Sequence, residues 1–309
     1  MQDTSTGRSR QRAAVPRPPR EIGDEVRRRL LSRLPVTERR LHVIGISTPV
    51  LESGEGPNLL LLHGPGGSAL HWMRIIPALA ARYRLIIPDL PGQGASVVMQ
   101  GQLDAERVIA WLCALIGETC TTRPTLVGYA LGGAIAARFA ARAPTQVNHL
   151  VLIDSLGLAP FEPLREFAAA LNEFLATPNV ETHESLWRQC AHDLDALRNA
   201  MGNTWSAFES YNLDRANDPR VMASLHALME HVGLPPIDPS ELERILAPTT
   251  LIWGRHDRAT PVATAEEISG RYGWPLHVIE DAADDPSIEK PESLARVLRS
   301  VLASNSATN

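Results

Sequence analysis

Residues 126 to 133, Leu-Val-Gly-Tyr-Ala-Leu-Gly-Gly, set Gly128 and Gly132 around one central residue at the spacing of Gly-x-Ser-x-Gly. That pattern makes a tight strand-to-helix turn that presents a nucleophilic hydroxyl. The centre here is Ala130, and a methyl group cannot attack a carbonyl. Other residues able to do chemistry fall into weaker patterns. The glycine-rich His63-Gly64-Pro65-Gly66-Gly67-Ser68 lacks the Gly-Lys-Ser/Thr ending of a phosphate loop. Cys113, Cys120 and Cys190 form no Cys-x-x-Cys pair, and His183, His192, His226 and His231 have no metal-binding spacing. Neither a metal nor another cofactor is expected.

Around these residues the chain is long and apolar enough to bury a full core: 309 residues, 44% of them hydrophobic. A net charge of −5 offers no basic surface for a nucleic-acid backbone, so nucleic acid is not expected as a partner. No apolar run reaches the roughly 20 residues of a membrane helix, and no secretion signal opens the chain. Together with the absence of a disulfide framework, this predicts a cytoplasmic protein with no membrane span. The first 40 residues carry eleven arginines and five acids. Residues 1–20 read as a disordered basic tail, and Ile22, Val26 and Leu30 place a short amphipathic helix over Glu21 to Leu34. Residues 1–34 are the segment through which a protein partner would bind.

The elements that must position the turn follow from the apolar runs. "LHVIGISTPVLE", "LLLL", "RLIIPDL", "PTLVGYA", "HLVLID", "TTLIWG" and "PLHVIE" read as strands. Several are apolar on both faces, as buried parallel strands are, and most are separated by enough chain for a crossover helix. Between Asp154 and Thr249 no strand is apparent, and Leu164, Phe167, Ala168, Leu171, Phe174 and Leu175 share one helical stripe. Residues 157–246 are therefore expected to form a helical cap on a core made of residues 21–156 and 247–309.

Five pieces in order, "LLLLHGPGGSALHW" (59–72), "IIPDLPGQGAS" (86–96), "LVGYALGG" (126–133), "LIWGRHDRATP" (251–261) and "IEDAADDPSIEKPE" (279–292), resemble the α/β-hydrolase superfamily in its helical-cap branch, over residues 36 to 303. The resemblance implies an α/β fold with a mostly parallel central sheet flanked by helices. It makes Ala130 the substituted nucleophile, Asp257 of "GRHD" the triad acid, and Asp284 the occupant of the position where relatives carry the catalytic histidine. His277 falls seven positions before Asp284, inside the last strand. The oxyanion hole would be formed by the N–H of Leu131 and by the residue after the His63-Gly64 pair. That residue is Pro65, which has no N–H, so Gly66 would have to donate instead. Three departures together point to a native loss of the serine triad rather than to a single exchange at position 130.

Loss of the serine or histidine of such a unit costs about a million-fold in turnover, so ordinary serine-esterase activity is not expected. Ser68, Ser96 and Ser155 lie at carboxyl ends of strands but read as turn hydroxyls. Asp257 and Asp284 are expected to face one another, with a raised pKa or a counter-charge from Arg255, His256 or Arg258. Tyr129, Trp187, Trp205 and Tyr211, with Phe208 and the insertion's methionines, are the candidate contacts for a small, mainly apolar ligand under the cap. The alternatives are a non-serine hydrolase, lyase or isomerase with Asp257 or Asp284 as general base, and a protein-interaction module.

Overall fold

The computed structural model describes residues 19–306; the expected basic tail falls mainly on residues 1–18, outside the described residues. Nine strands form one sheet: β1 (Thr37–Val43), β2 (Ile46–Ser53), β3 (Asn58–Leu62), β4 (Arg84–Pro88), β5 (Val97–Val98), β6 (Thr125–Tyr129), β7 (His149–Ile153), β8 (Thr249–Gly254) and β9 (Leu276–Ile279). Their order is β1-β2-β4-β3-β6-β7-β8-β9, with the short β5 pairing β2. Pairs from β4 onward along this path are parallel, and the pairs made by β2 are antiparallel. Every residue of β3, β6, β7 and β8 is buried, as their two-sided apolar sequences require.

The stretch around residues 41–52, read from sequence as one strand, is a hairpin. Val43 pairs with Ile46 around Ile44 and Gly45, both at positive φ (50° and 70°). Two such residues are what a tight hairpin turn matched to strand twist needs.

Helices connect the strands: α1 (Pro19–Leu31), α2 (Ile76–Ala80), α3 (Ala105–Thr119) and α4 (Leu131–Arg142) precede β7. Between β7 and β8 run α5 (Arg165–Ala176), α6 (Val180–Cys190), α7 (Leu194–Met201), α8 (Asn203–Ala216), α9 (Pro219–Leu228) and α10 (Pro239–Leu242). The chain closes with α11 (Val262–Tyr272), α12 (Pro286–Glu289) and α13 (Pro291–Ser306). Local signals set several starts: Asp104 accepts the Arg107 N–H before α3, and Asn179 with Thr182 forms a capping box before α6. α4 lies on β3, β6 and β7, while α11 and α13 lie against the β8–β9 edge.

Helix α1 is not a free arm. It packs against α8 of the inserted helices, and the approach is close at Gly23, where a Cβ would collide with Asp214. Arg27 of α1 is buried and joins three parts of the chain: Glu38 of β1 (2.8 Å), Asp89 after β4 (3.2 Å) and the Tyr211 hydroxyl of α8 (3.3 Å). Burial opposes its charge, but Asp89, Tyr211 and Glu38 together raise its pKa. The inward face of this helix is spent on its own chain.

Removing one side of a buried ion pair strands the other charge, at a cost of about 3–5 kcal/mol. Arg27→Met is therefore expected to lower the unfolding free energy by about that much in urea denaturation, because Asp89 stays buried. A loss below about 1 kcal/mol would show that the pair is not holding α1 to the core.

Candidate functional site

Strand β6 runs straight into α4, and the joint is Ala130, at φ 46° and ψ −109°. Few L-residues adopt such a backbone, which costs about 1–3 kcal/mol and persists only when the surroundings impose it. Here they do. Ala130 donates its N–H to Ile153 O (3.0 Å) and accepts from Leu156 N (3.1 Å), so the end of β7 clamps it from both sides. A Cβ at Gly132 would collide with the carbonyls of Leu62 and His63, and one at Gly128 with the Gly132 backbone. The glycines on either side let strand and helix meet, and the turn then projects only a methyl group.

The loop after β3 forms the facing wall. His63 is fully buried and neutral: its Nδ1 donates to Gly64 O (2.8 Å), Nε2 accepts from Leu90 N (2.9 Å), and burial pushes its pKa down to about 4. Pro65 stands where the sequence places it, with no N–H to offer. Gly66 sits at φ 67° with Leu225 of α9 overhead, and Leu131 opens α4, where helix N–H groups lack intrahelical partners.

Four carboxyl groups gather behind the turn. Asp257 and Asp284 do come together, as expected, and they are joined by Asp154 and Asp285. Asp257 is saturated: it accepts from Ala259 N (2.7 Å), Thr260 N (3.0 Å) and the Thr260 hydroxyl (2.5 Å). Burial still pushes its pKa up to about 6, against those hydrogen bonds. Asp154 ends β7 at φ 43°, accepts from Gly254 N (2.8 Å), and is raised well above the carboxylate range by burial and by Asp257. Asp284 is raised likewise, by burial first and then by Asp257 and Asp285. Tyr129 and Cys190 flank it as hydrogen-bonding neighbours, and their own pKa values are driven up by burial and by the same carboxylates. Burial thus shifts Asp154, Asp257 and Asp284, beside Ala130, towards their protonated forms.

Asp285 takes a separate partner. His71 Nε2, from the turn of 3₁₀ helix over Ala69–Trp72, lies 2.6 Å from Asp285 Oδ2, while Ser287 donates to Oδ1 (2.6 Å). The His71 ring stacks on Tyr129 and meets Phe208 edge-on, each with centroids 5.7 Å apart. Sequence reasoning missed Asp154, Asp285, His71 and Cys190. One signal was present: Asp285-Pro286 is a helix start, and Asp285 does cap α12.

The counter-charge expected from positions 255, 256 and 258 goes elsewhere. Arg255 pairs with Glu280 and Glu266 on the surface, His256 stacks on His192, and Arg258 donates to the carbonyls of Arg188, Gln189 and Ala191. Burial and mutual repulsion instead raise the pKa values of Asp154 and Asp284. Of the predicted ligand contacts, Tyr129 borders the turn. Trp187 and Trp205 pack edge to face at 5.2 Å in a cluster with Phe208, Met73 and Ile288, which seals the insertion onto the core. Tyr211 is corrected outright: it lies under α1 with Leu30 and Leu70, bound to Arg27. Ser68, Ser96 and Ser155 are turn hydroxyls, bonded to Leu70 N, Gly92 N and Leu156 O. His277 lies in β9, and His183 is enclosed by aromatic rings, held neutral by burial with a pKa near 4. Among the described residues no cluster of three or more His, Cys, Asp or Glu is placed to hold a metal ion, and no helix is long and apolar enough to cross a membrane.

The sequence profile described as "Alpha/beta hydrolase family" matches residues 59–297. The chain belongs to the α/β-hydrolase family. It is 29% identical over 268 residues to the pimeloyl-[acyl-carrier protein] methyl ester esterase of Aeromonas hydrophila, covering 82% of this chain and 98% of that one. It is 28% identical over 274 residues to the 2-hydroxy-6-oxo-6-(2'-aminophenyl)hexa-2,4-dienoic acid hydrolase of Metapseudomonas resinovorans, covering 86% and 91%. Among solved structures, a membrane phospholipase A described as a novel bacterial virulence factor superposes with a TM-score of 0.77 at 27% identity, covering 93% and 92% of the two chains. Within this α/β-hydrolase, the final loop is tied to the insertion by Asp284 N to Cys190 O (3.1 Å) and by Glu289, which accepts from Ala283 N and His192 N.

Raised carboxyl pKa values make stability pH-dependent. The folded protein keeps protons on Asp257 up to about 6 and on Glu289 up to about 7, where the unfolded chain releases them near pH 4. These groups thus favour the fold fully at low pH, and that support is lost as pH rises through the folded values. Asp284, shifted in the same direction, makes Asp284→Asn more stable than the parent at pH 8, with the gap closing towards pH 4. Urea midpoints at the two pH values check it; an Asn variant weaker than the parent at pH 8 contradicts a neutral Asp284.

Proposed function

We propose that this α/β-hydrolase binds a small, mainly apolar carbonyl compound beneath its inserted helices and does not form an acyl-enzyme. The observation that carries this reading is the strained turn tipped by Ala130, beside a buried Asp284 whose pKa is raised by burial, Asp257 and Asp285. Covalent catalysis needs an activated nucleophile, and position 130 supplies none. What remains is a set of hydrogen-bond donors, Tyr129, Asp284 and Cys190, in an apolar surround that includes Phe208 and Trp187. Donors of that kind recognise a carbonyl oxygen. Named relatives act on an ester and on an oxo-dienoic acid, both carbonyl compounds.

A second reading, a non-serine hydrolase, lyase or isomerase, is favoured by the ionisable groups that stay at the turn. Asp257 is a poor base because three donors already occupy it, and burial with neighbouring carboxylates pushes the pKa of Asp284 up. An interaction module working through α1 loses its main support, since that helix is packed on α8.

A fluorophosphonate probe followed by intact-mass measurement tests the absence of an acyl-enzyme. The wild type is expected to stay unmodified, its turnover of nitrophenyl esters about a million-fold below a working serine hydrolase. Ala130→Ser combined with Asp284→His is expected to gain one adduct at residue 130. An adduct on the wild type at any residue of the turn would overturn the reading.

A further inference from the structure

His71 and Asp285 have no assigned role, yet they stand at the turn in an arrangement with chemical consequences. Asp285 is 1% exposed, caps α12 and is fixed by Ser287 and Ile288 N, so its position is not adjustable. Nε2 stands 2.6 Å from Asp285 Oδ2, close enough for the acid to fix which way the ring turns, and Nδ1 is the other ring nitrogen. Nδ1 lies over the loop after β3: a Cβ at Gly67 would stand 3.1 Å from it, so the glycine makes room for the ring. Tyr129 stacks on one face of the imidazole and Phe208 meets it edge-on, while 11% of the side chain stays exposed. The charged and titratable groups around this pair are Tyr129, His63, Arg74 towards Asp285, and Asp284. A nitrogen base beside a buried acid thus stacks on a phenol, and that phenol adjoins the Asp284 carboxyl group.

We propose that His71, oriented by Asp285, is a proton-transfer base for ketones that bear a C–H next to the carbonyl, with Tyr129 and Asp284 holding the carbonyl oxygen. This rests on the carbonyl-binding reading above. In the step, Nδ1 takes the α-proton as the C–H bond breaks. The electron pair becomes a carbon–carbon π bond, and the carbonyl π pair moves onto oxygen as an enolate. A phenol and a neutral carboxyl group in an apolar site suit that charge. Return of a proton from imidazolium to carbon restores the ketone, so no oxidant, reductant or co-reactant is required. His71 touches the substrate; Asp285 is a positioning residue that acts through it.

Deuterium incorporation into acetone and acetophenone in D₂O, followed by proton NMR, tests the proposal on the full chain. The wild type is expected to exchange the α-hydrogens about 100-fold faster than buffer, the order that a positioned base contributes. His71→Ala falls to the buffer rate and regains exchange when imidazole is added, which a merely structural role would not allow. Asp285→Asn, with its melting temperature measured alongside, lowers exchange while acetophenone binding by saturation-transfer NMR persists. Wild-type exchange no faster than buffer, or full exchange by a folded His71→Ala or His71→Gln, overturns the proposal. Binding of acetophenone without exchange removes this inference and leaves the binding reading intact; a fluorophosphonate adduct removes the binding reading itself.

Discussion

The backbone at Ala130 is the constraint from which the site follows. Its conformation is one that alanine avoids, and it is held there by a hydrogen bond to Ile153, another from Leu156, and glycines that let β6 and α4 meet without collision. Those contacts bring the ends of β6 and β7 together, and with them Tyr129, Asp154 and the start of α4. In family members with a serine at this position the strain serves to expose a nucleophile. This chain keeps the geometry and its cost while presenting carbon.

The electrostatics of the wall follow from burial. Asp154, Asp257, Asp284 and Asp285 are each buried in one region, and the arginines nearest in sequence are engaged on the surface or with carbonyls. In a low-dielectric setting several carboxylates cannot all stay ionised. Asp257 is held by three hydrogen bonds and Asp285 by Ser287 with His71 beside it, while burial and neighbouring carboxylates raise the pKa values of Asp154 and Asp284.

Much of this was legible in the sequence, and for definite reasons. Two-sided apolar runs gave β3, β6, β7 and β8, because a strand buried on both faces has no polar alternation to hide it. The glycine spacing gave the turn, and Asp257 and Asp284 were expected to meet and do. The hairpin at Ile44-Gly45 escaped because its two strands read as one continuous β-rich stretch. Tyr211 was misplaced because an aromatic residue on a helix has the same spacing whether it faces a ligand or another helix, and α1 was not expected to cover it. His71 and Asp285 are 214 residues apart, and a contact across that distance leaves no local pattern to read.

Infrared difference spectroscopy between the wild type and Asp284→Asn at pH 7 tests most directly whether the carboxyl facing the turn is neutral. A protonated Asp284 predicts loss of a carboxylic-acid C=O stretch in the variant with no loss of carboxylate bands. Loss of the carboxylate bands instead would show an ionised Asp284, able to act as a base, and would contradict the donor-lined site described above.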